Sequence, residues 1–341
     1  MKDLIELEKK IVPEIIETLE KRYEILRCIY YNQPLGRRSL ANRLNYGERA
    51  VRTEVSIMQE QGLLKIESMG MYVTEDGKNL LEDLKDVIYE IKGLKGLERK
   101  LESSLNIKHV IIVPGNSDEN ESVRKDMGKA AYKYLKTIIR DNCTIGVTGG
   151  STMEFFAEEA KDEKLAENVL VIPARGGYGK NVETQANNIA AKLATRIGGS
   201  YKLLHVPDIV EKDAQNVLLK IPDVNEIVNS IKDLDILIFG LGRADVMSER
   251  RKLPEEKIVE LLKSGAVSEA FGHYFDRFGN TIYESMTIGL STADYKNVED
   301  AIGIAGGERK AEAIISICTI RNDVILVTDE AAARKIINII N

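Results

Sequence analysis

The sequence predicts an α/β protein in two parts, an N-terminal winged helix-turn-helix followed by a Rossmann-like parallel-sheet domain. Three observations carry this. A helix, a turn, a second helix and a hairpin pattern follow one another before residue 75. From Lys108 onward, short Val- and Ile-rich runs alternate with helical stretches. Those runs end repeatedly in glycine-rich turns. At 341 residues the chain is long enough for two domains, and the expected division is 1–88 and 89–341.

Ile5, Val12, Ile16, Leu19, Tyr23, Leu26, Ile29 and Tyr30 recur at helical spacing, which predicts a helix from about residue 4 to 31. Pro34 stops it, because proline disfavours helical geometry in the residue before it. A short helix through Ser39 to Leu44, a turn at Asn45-Tyr46-Gly47 and a second helix from Glu48 to Gln61 follow. Leu40 and Leu44 mark one buried stripe, and Val51, Val55 and Met58 the other. Gly62 suits a helix end with positive φ. Leu63 to Ile66 and Met71 to Val73 read as a hairpin closed by Ser68-Met69-Gly70. In a winged helix the second helix of the pair enters the major groove N-terminal end first. Its outward face then carries Arg49, Arg52, Thr53 and Ser56, groups able to bond base edges or phosphates.

Charge agrees with this geometry. The chain is acidic overall, with a net charge of −6, yet residues 36–53 hold five arginines (Arg37, Arg38, Arg43, Arg49, Arg52) against one acid, Glu48. Arg37 and Arg38 join the expected DNA contacts, and operator DNA is the expected partner. Glu75 to Leu105 reads as one long amphipathic stretch, a linker or a dimer-forming helix, so a homo-oligomer (dimer or tetramer) is expected. No apolar run reaches the roughly 18 residues of a membrane span, and the charged N-terminus lacks a signal peptide's apolar centre. Cys28, Cys143 and Cys318 lie far apart in apolar stretches, which predicts buried thiols rather than disulfides or a zinc site. A cytoplasmic location without membrane contact is expected, with no cofactor and no metal.

In the second part HVIIVPG, CTIGVTGG, VLVIPAR, KLLHVP, DILIFGLG, AIGIAGG and DVILVTDE read as buried strands. Ligands of such open sheets bind beyond the strands' C-terminal ends. The most informative turn is Gly146-Val147-Thr148-Gly149-Gly150-Ser151-Thr152-Met153-Glu154. Gly149 and Gly150 let the backbone approach a ligand, Ser151 with Glu154 matches a capping box, and free amides with two hydroxyls make an anion site. It is neither a Walker A loop nor GxGxxG. Arg175 follows VLVIPA, Gln185 is expected just inside the next helix, and Arg250 and Arg251 follow GLGR. Glu269 follows Gly265-Ala266-Val267, and Lys310 follows AGGER. Arg175, Arg250 and Lys310 are expected on the face of the anion turn, where cations, hydroxyls and a carboxylate suit a phosphorylated sugar.

GVTGGSTM, GLGRAD, GAVSEAFGHYFD and AGGERKAEAI with VILVTDEAAA, following a winged helix, resemble the SorC family of sugar-responsive transcriptional regulators. The likeness spans essentially the whole chain, with AGGERKAEAI and LVTDE its most specific part. It implies an effector domain related to ribose-5-phosphate isomerase and glucosamine-6-phosphate deaminase, and a repressor of glycolytic genes that responds to fructose 1,6-bisphosphate. By resemblance the effector contacts are Gly150, Ser151, Thr152, Arg175, Gln185, Arg250, Glu269 and Lys310. Position 151 is Ser where Thr is also expected, and Glu269 is often Asp in the family.

Two rivals differ in class. A sugar-phosphate isomerase or deaminase needs an acid/base group beside the reacting carbon, and GLGRADVMSERR lacks the histidine the deaminases carry there. His109 and His205 are expected inside strands; His273 beside Glu269, and Asp245, are the other candidates. A DNA-binding protein whose second domain serves assembly alone would have no use for a cationic cleft.

Overall fold

The computed structural model describes residues 11–177, 181–208 and 210–341. Two compact units emerge: Met1–Leu97 with Pro114–Val123, and Glu98–Val113 with Arg124–Asn341.

The first unit opens with α1 (Pro13–Asn32), with proline in its first turn. The expected beginning of this helix near residue 4, with Ile5, lies outside the described residues. The chain then forms α2 (Arg37–Leu44), α3 (Glu48–Glu60), β1 (Leu64–Glu67), β2 (Gly70–Val73) and α4 (Glu75–Ile91). β1 and β2 pair antiparallel, Leu64 opposite Val73. Gln33 is extended, as its place before Pro34 requires, and Gly62 has φ +77°. Val51, Val55, Met58 and Leu40 are sealed in one core with Leu26, Ile29, Met71 and Ile88. The single amphipathic stretch expected over 75–105 is instead two helices, α4 and α5 (Leu94–Leu105). The break falls at Gly93, whose φ of +64° leaves the helical region.

The second unit holds β3 (His109–Val113), α6 (Glu121–Ile138), β4 (Thr144–Val147), α7 (Ser151–Glu159), β5 (Leu170–Pro173), α8 (Ala186–Arg196) and β6 (Ser200–Tyr201). Then come α9 (Lys212–Leu218), α10 (Pro222–Lys232), β7 (Ile236–Gly240), β8 (Gly242–Arg243), α11 (Ala244–Arg250), α12 (Glu255–Lys263), β9 (Ala266–Ala270), β10 (His273–Asp276) and β11 (Thr281–Glu284). The last elements are α13 (Thr292–Asn297), β12 (Asp300–Ile304), a 3₁₀ turn (Glu308–Lys310), α14 (Ala311–Ile320), β13 (Ile325–Asp329) and α15 (Glu330–Ile340).

Seven strands form one parallel sheet in the order β3-β13-β12-β7-β4-β5-β6. Counted from β4, the last six follow the doubly-wound order, with the reversal between β4 and β7. Ile145, Ile236, Ile238, Ile302, Ile325 and Val327 are wholly inaccessible, as strands covered on both faces must be. On β3, at one edge, the Val110 and Ile112 amides donate to the Glu102 and Glu98 carboxylates at 3.0 and 2.8 Å. Those side chains satisfy donors that an open edge would leave to another chain.

KLLHVP is not a strand: β6 is only Ser200–Tyr201, and Asn187 holds the Leu204 backbone through both its amide atoms, at 3.0 and 3.1 Å. His205 is accordingly exposed and outside any strand. A second, antiparallel sheet, β11-β10-β9-β8, is present that the strand pattern of the sequence does not predict. Its strands carry Glu269 and His273, and Ser268 of β9 meets Ser316 of α14 at 2.7 Å.

Candidate functional site

In the first unit α3 buries Val51, Val55 and Met58 and leaves Arg49, Arg52 and Thr53 exposed, with Ser56 half-buried. Arg37 and Arg38 are exposed at the start of α2. The helix is anchored from the other side, where half-buried Glu54 accepts from Arg22 at 2.8 Å and Lys21 at 3.2 Å on α1. Burial raises the Glu54 pKa, but those two cations outweigh it and hold the carboxyl below its ordinary range. The Thr53 hydroxyl donates back to the Arg49 carbonyl at 3.2 Å. The N-cap of α3 is Gly47, with no side-chain cap, so a phosphate can approach the helix start. Position, exposure and sign of charge all suit a polyanion.

In the second unit the strand order β12-β7-β4-β5 lines up four C-terminal ends across the point of reversal. These ends lead to Lys310, Leu241, the Gly149–Thr152 turn and Arg175. Thr148 joins two of them: its amide donates to Ile238 at 3.1 Å and its hydroxyl accepts from the Gly240 amide at 3.0 Å. Lys310 reaches across to donate to the Leu241 carbonyl at 3.2 Å. The neighbouring Gly307 amide is held by buried Asp329, at 2.8 Å, which also caps α15.

The anion turn is built differently from the expected capping box. Gly150, not Ser151, is the N-cap, with φ +124°, and no side chain caps the helix. The Glu154 amide donates to the Gly150 carbonyl at 3.0 Å, so Ser151 lies in the first turn with its side chain exposed beside half-buried Thr152. Gly149 is dictated by close approach, since a Cβ there would stand 2.7 Å from the Thr184 carbonyl. The same carbonyl accepts from the Gly150 amide at 2.8 Å, which removes one amide from the expected anion site. Gln185 is the N-cap of α8 rather than its first residue, and its side-chain oxygen lies against Gly177.

Arg175 lies two residues beyond the end of β5, at the strand's C-terminal side as expected, but does not stand open. Its Nε donates to Asp208 at 2.8 Å, its Nη2 bonds the same carboxylate, and Nη1 lies 3.4 Å from Glu269. Arg251 completes the group, bonding Asp208 through Nη1 and Glu269 through Nη2 at 2.7 Å. All four side chains are at least nine-tenths buried. Burial works against the Arg251 charge, but Glu269 and Asp208 more than offset it and its pKa is raised. Arg250, the expected ligand, ends α11 with its side chain exposed, and it is Arg251, one residue on, that turns inward. One residue along a helix is about 100°, which a sequence pattern cannot resolve here. Asp208 had no signal at all, being a lone acid after a proline.

The β9–β10 turn closes over this group. Gly272 donates its amide to Glu269 at 2.7 Å, and a Cβ there would lie 2.9 Å from Arg175 Nη2. Next to it His273 is buried, and neither ring nitrogen makes a hydrogen bond of normal geometry among the described residues. Burial, helped by Arg175, lowers its pKa against the pull of Glu284, Glu269 and the Leu290 backbone. Asp245 is engaged by Arg243 at 3.1 Å. Cys28, Cys143 and Cys318 are buried thiols. No helix among the described residues is long and apolar enough to cross a membrane.

Comparison with known proteins bears on both units. Residues 89–338 match the family described as "Putative sugar-binding domain", and residues 18–88 match the "CggR N-terminal DNA binding domain". The chain is 39% identical over 337 residues to the central glycolytic genes regulator of Bacillus subtilis, covering 99% of each. It is 38% identical over 342 residues to that of Priestia megaterium, covering 100% of each. A crystal structure of a SorC family transcriptional regulator from Enterococcus faecalis superposes with a TM-score of 0.66 at 34% identity, covering 71% of this chain and 99% of that one. The chain belongs to the SorC family: it is a transcriptional regulator with an N-terminal DNA-binding domain and a sugar-binding domain.

Proposed function

We propose that this SorC-family regulator represses glycolytic genes and that a phosphorylated sugar, fructose 1,6-bisphosphate, loosens its hold on the operator. The observation that carries the reading is that the strand ends leading to Lys310, Leu241, Ser151 with Thr152, and Arg175 stand in the order β12-β7-β4-β5 across the point where the sheet order reverses. Two hydroxyls and the start of α7 suit one phosphate; the guanidinium and ammonium groups supply charge for a second. Gly149, Gly150, Gln185, Arg250 and Glu269 complete the proposed contacts, and the relatives named above support the glycolytic assignment. Arg37, Arg38, Arg49, Arg52, Thr53 and Ser56 take the DNA. Residues 1–88 then form the reading domain and 89–341 the sensing and oligomerising domain, paired in a homo-oligomer so that two α3 helices meet two half-sites.

A ligand shifts this equilibrium only through different affinities for the DNA-bound and DNA-free states. The test is a gel shift on an operator fragment at fixed protein, titrated separately with fructose 1,6-bisphosphate and fructose 6-phosphate. The bisphosphate is expected to release DNA at the lower concentration. Equal potency would indicate a one-phosphate effector, and no release by either would refute the reading. Arg175→Ala is expected to bind operator normally and to need at least ~10-fold more effector, the loss of about one charge-assisted bond.

A further inference from the structure

We infer that Asp208 is a built-in competitor anion: it occupies Arg175 of the effector site, together with its buried neighbour Arg251, and thereby sets how tightly that site takes a phosphorylated ligand. The inference rests on the effector reading above. Arg175 and Arg251 meet on Asp208 from two directions, one on each carboxylate oxygen. A guanidinium meets carboxylate and phosphate oxygens with the same forked geometry. The arginines are therefore already holding the kind of group that the ligand would present.

The two acids of the quartet differ in how firmly they are held. Glu269 lies within β9 and also accepts the Gly272 amide at 2.7 Å, so its own sheet fixes it. Asp208 lies on the connection between β6 and α9. Its amide donates to the Gly177 carbonyl at 3.0 Å, and the partners of its carboxylate among the described residues are the two arginines. Its side chain can turn away without breaking a strand ladder. A phosphate offers three acceptor oxygens and more negative charge than one carboxylate, so it can take the arginines over. Two buried cations facing two acids form a neutral group at rest. Removing Asp208 leaves an excess positive charge that an external anion would relieve.

The experiment uses the full chain and calorimetric titration of wild type, Asp208→Asn and Asp208→Glu. The probes are fructose 1,6-bisphosphate and inorganic phosphate. Asp208→Asn is expected to bind the bisphosphate about 10-fold more tightly. Inorganic phosphate should raise its melting temperature at concentrations that leave wild type unmoved. Asp208→Glu keeps the charge and the wild-type affinities. If Asp208→Asn is unstable alone, the bisphosphate should restore it by supplying the missing anion, and failure to do so overturns the inference. A folded Asp208→Asn with unchanged or weaker affinity for both probes also overturns it. Wild type that ignores every sugar phosphate refutes the effector reading alone; inorganic phosphate binding to Asp208→Asn would then still support the competitor role.

Discussion

Arg37, Arg38, Arg49 and Arg52 of the winged helix stand in solvent, and Arg38 forms an exposed ion pair with Glu48 at 3.3 Å. Arg175 and Arg251 of the sheet domain are buried and share two carboxylates. The residue type is the same and the energetics are opposite. An exposed arginine gives up little hydration, contributes little to folding and keeps its donors for a polyanion whose binding is salt-dependent. A buried one has lost its water, so every charge facing it must be matched, and a change of partner is a discrete event. The first arrangement suits grip on DNA; the second suits recognition of one small anion.

The largest expected effect tests the buried side. Arg251→Ala leaves Asp208 and Glu269 facing each other without that cation, and should lower unfolding free energy by roughly 3–5 kcal/mol. Urea denaturation measures it, and a loss under about 1 kcal/mol would erase the contrast with the exposed arginines.

Arg52→Ala tests the exposed side. Stability should stay within about 0.5 kcal/mol of wild type. Operator affinity should fall by roughly 1–3 kcal/mol if Arg52 reads a base. An equal loss on random duplex with a flatter salt dependence would make it a phosphate contact. Unchanged affinity for both DNAs would remove α3 from the reading role.

His273 sharpens the comparison through pH. Its folded pKa lies below 6.5, so below that pH the unfolded chain takes up the proton first. Stability therefore falls as pH drops from about 6.5, by at most ~1.4 kcal/mol per pH unit for one proton. His273→Gln should flatten this part of the pH–stability curve. If the wild-type and variant curves run parallel there, His273 is not buried neutral.

The smallest effect belongs to the anchor of α3. Glu54→Gln should cost about 0.5–1 kcal/mol, since its partners on α1 are partly solvated. The Glu54 pKa is lowered in the fold, so this contribution is present above the ordinary carboxylate range and is lost as pH falls through the folded value. A variant whose stability matches wild type at neutral pH would show that α3 is held by its apolar stripe alone.

Periodicity was sufficient for the elements that bury a repeating face. Val51, Val55 and Met58, the runs at β3, β4, β5, β7, β12 and β13, and the stop at Pro34 were all legible, because apolar spacing and proline act locally. KLLHVP has the composition of a strand, yet Asn187 captures the backbone that a ladder would have used, and no local pattern records that. The antiparallel sheet was missed for a related reason: its β8 is two residues long and β9 carries a buried acid, Glu269, in place of clean alternation.

The sequence by itself determined the class of the molecule: a helix-turn-helix segment with an excess of arginine over residues 36–53, a parallel sheet flanked by helices and glycine turns at the strand ends. Those properties follow from residue type, spacing and local backbone freedom. Only the tertiary structure decided which charges meet. Arg251 rather than Arg250 turns inward, Asp208 arrives from 33 residues beyond Arg175, and Glu269 from 94. Partner choice among buried ions depends on desolvation and on distances set by the closed sheet, and neither exists until strands remote in sequence lie side by side.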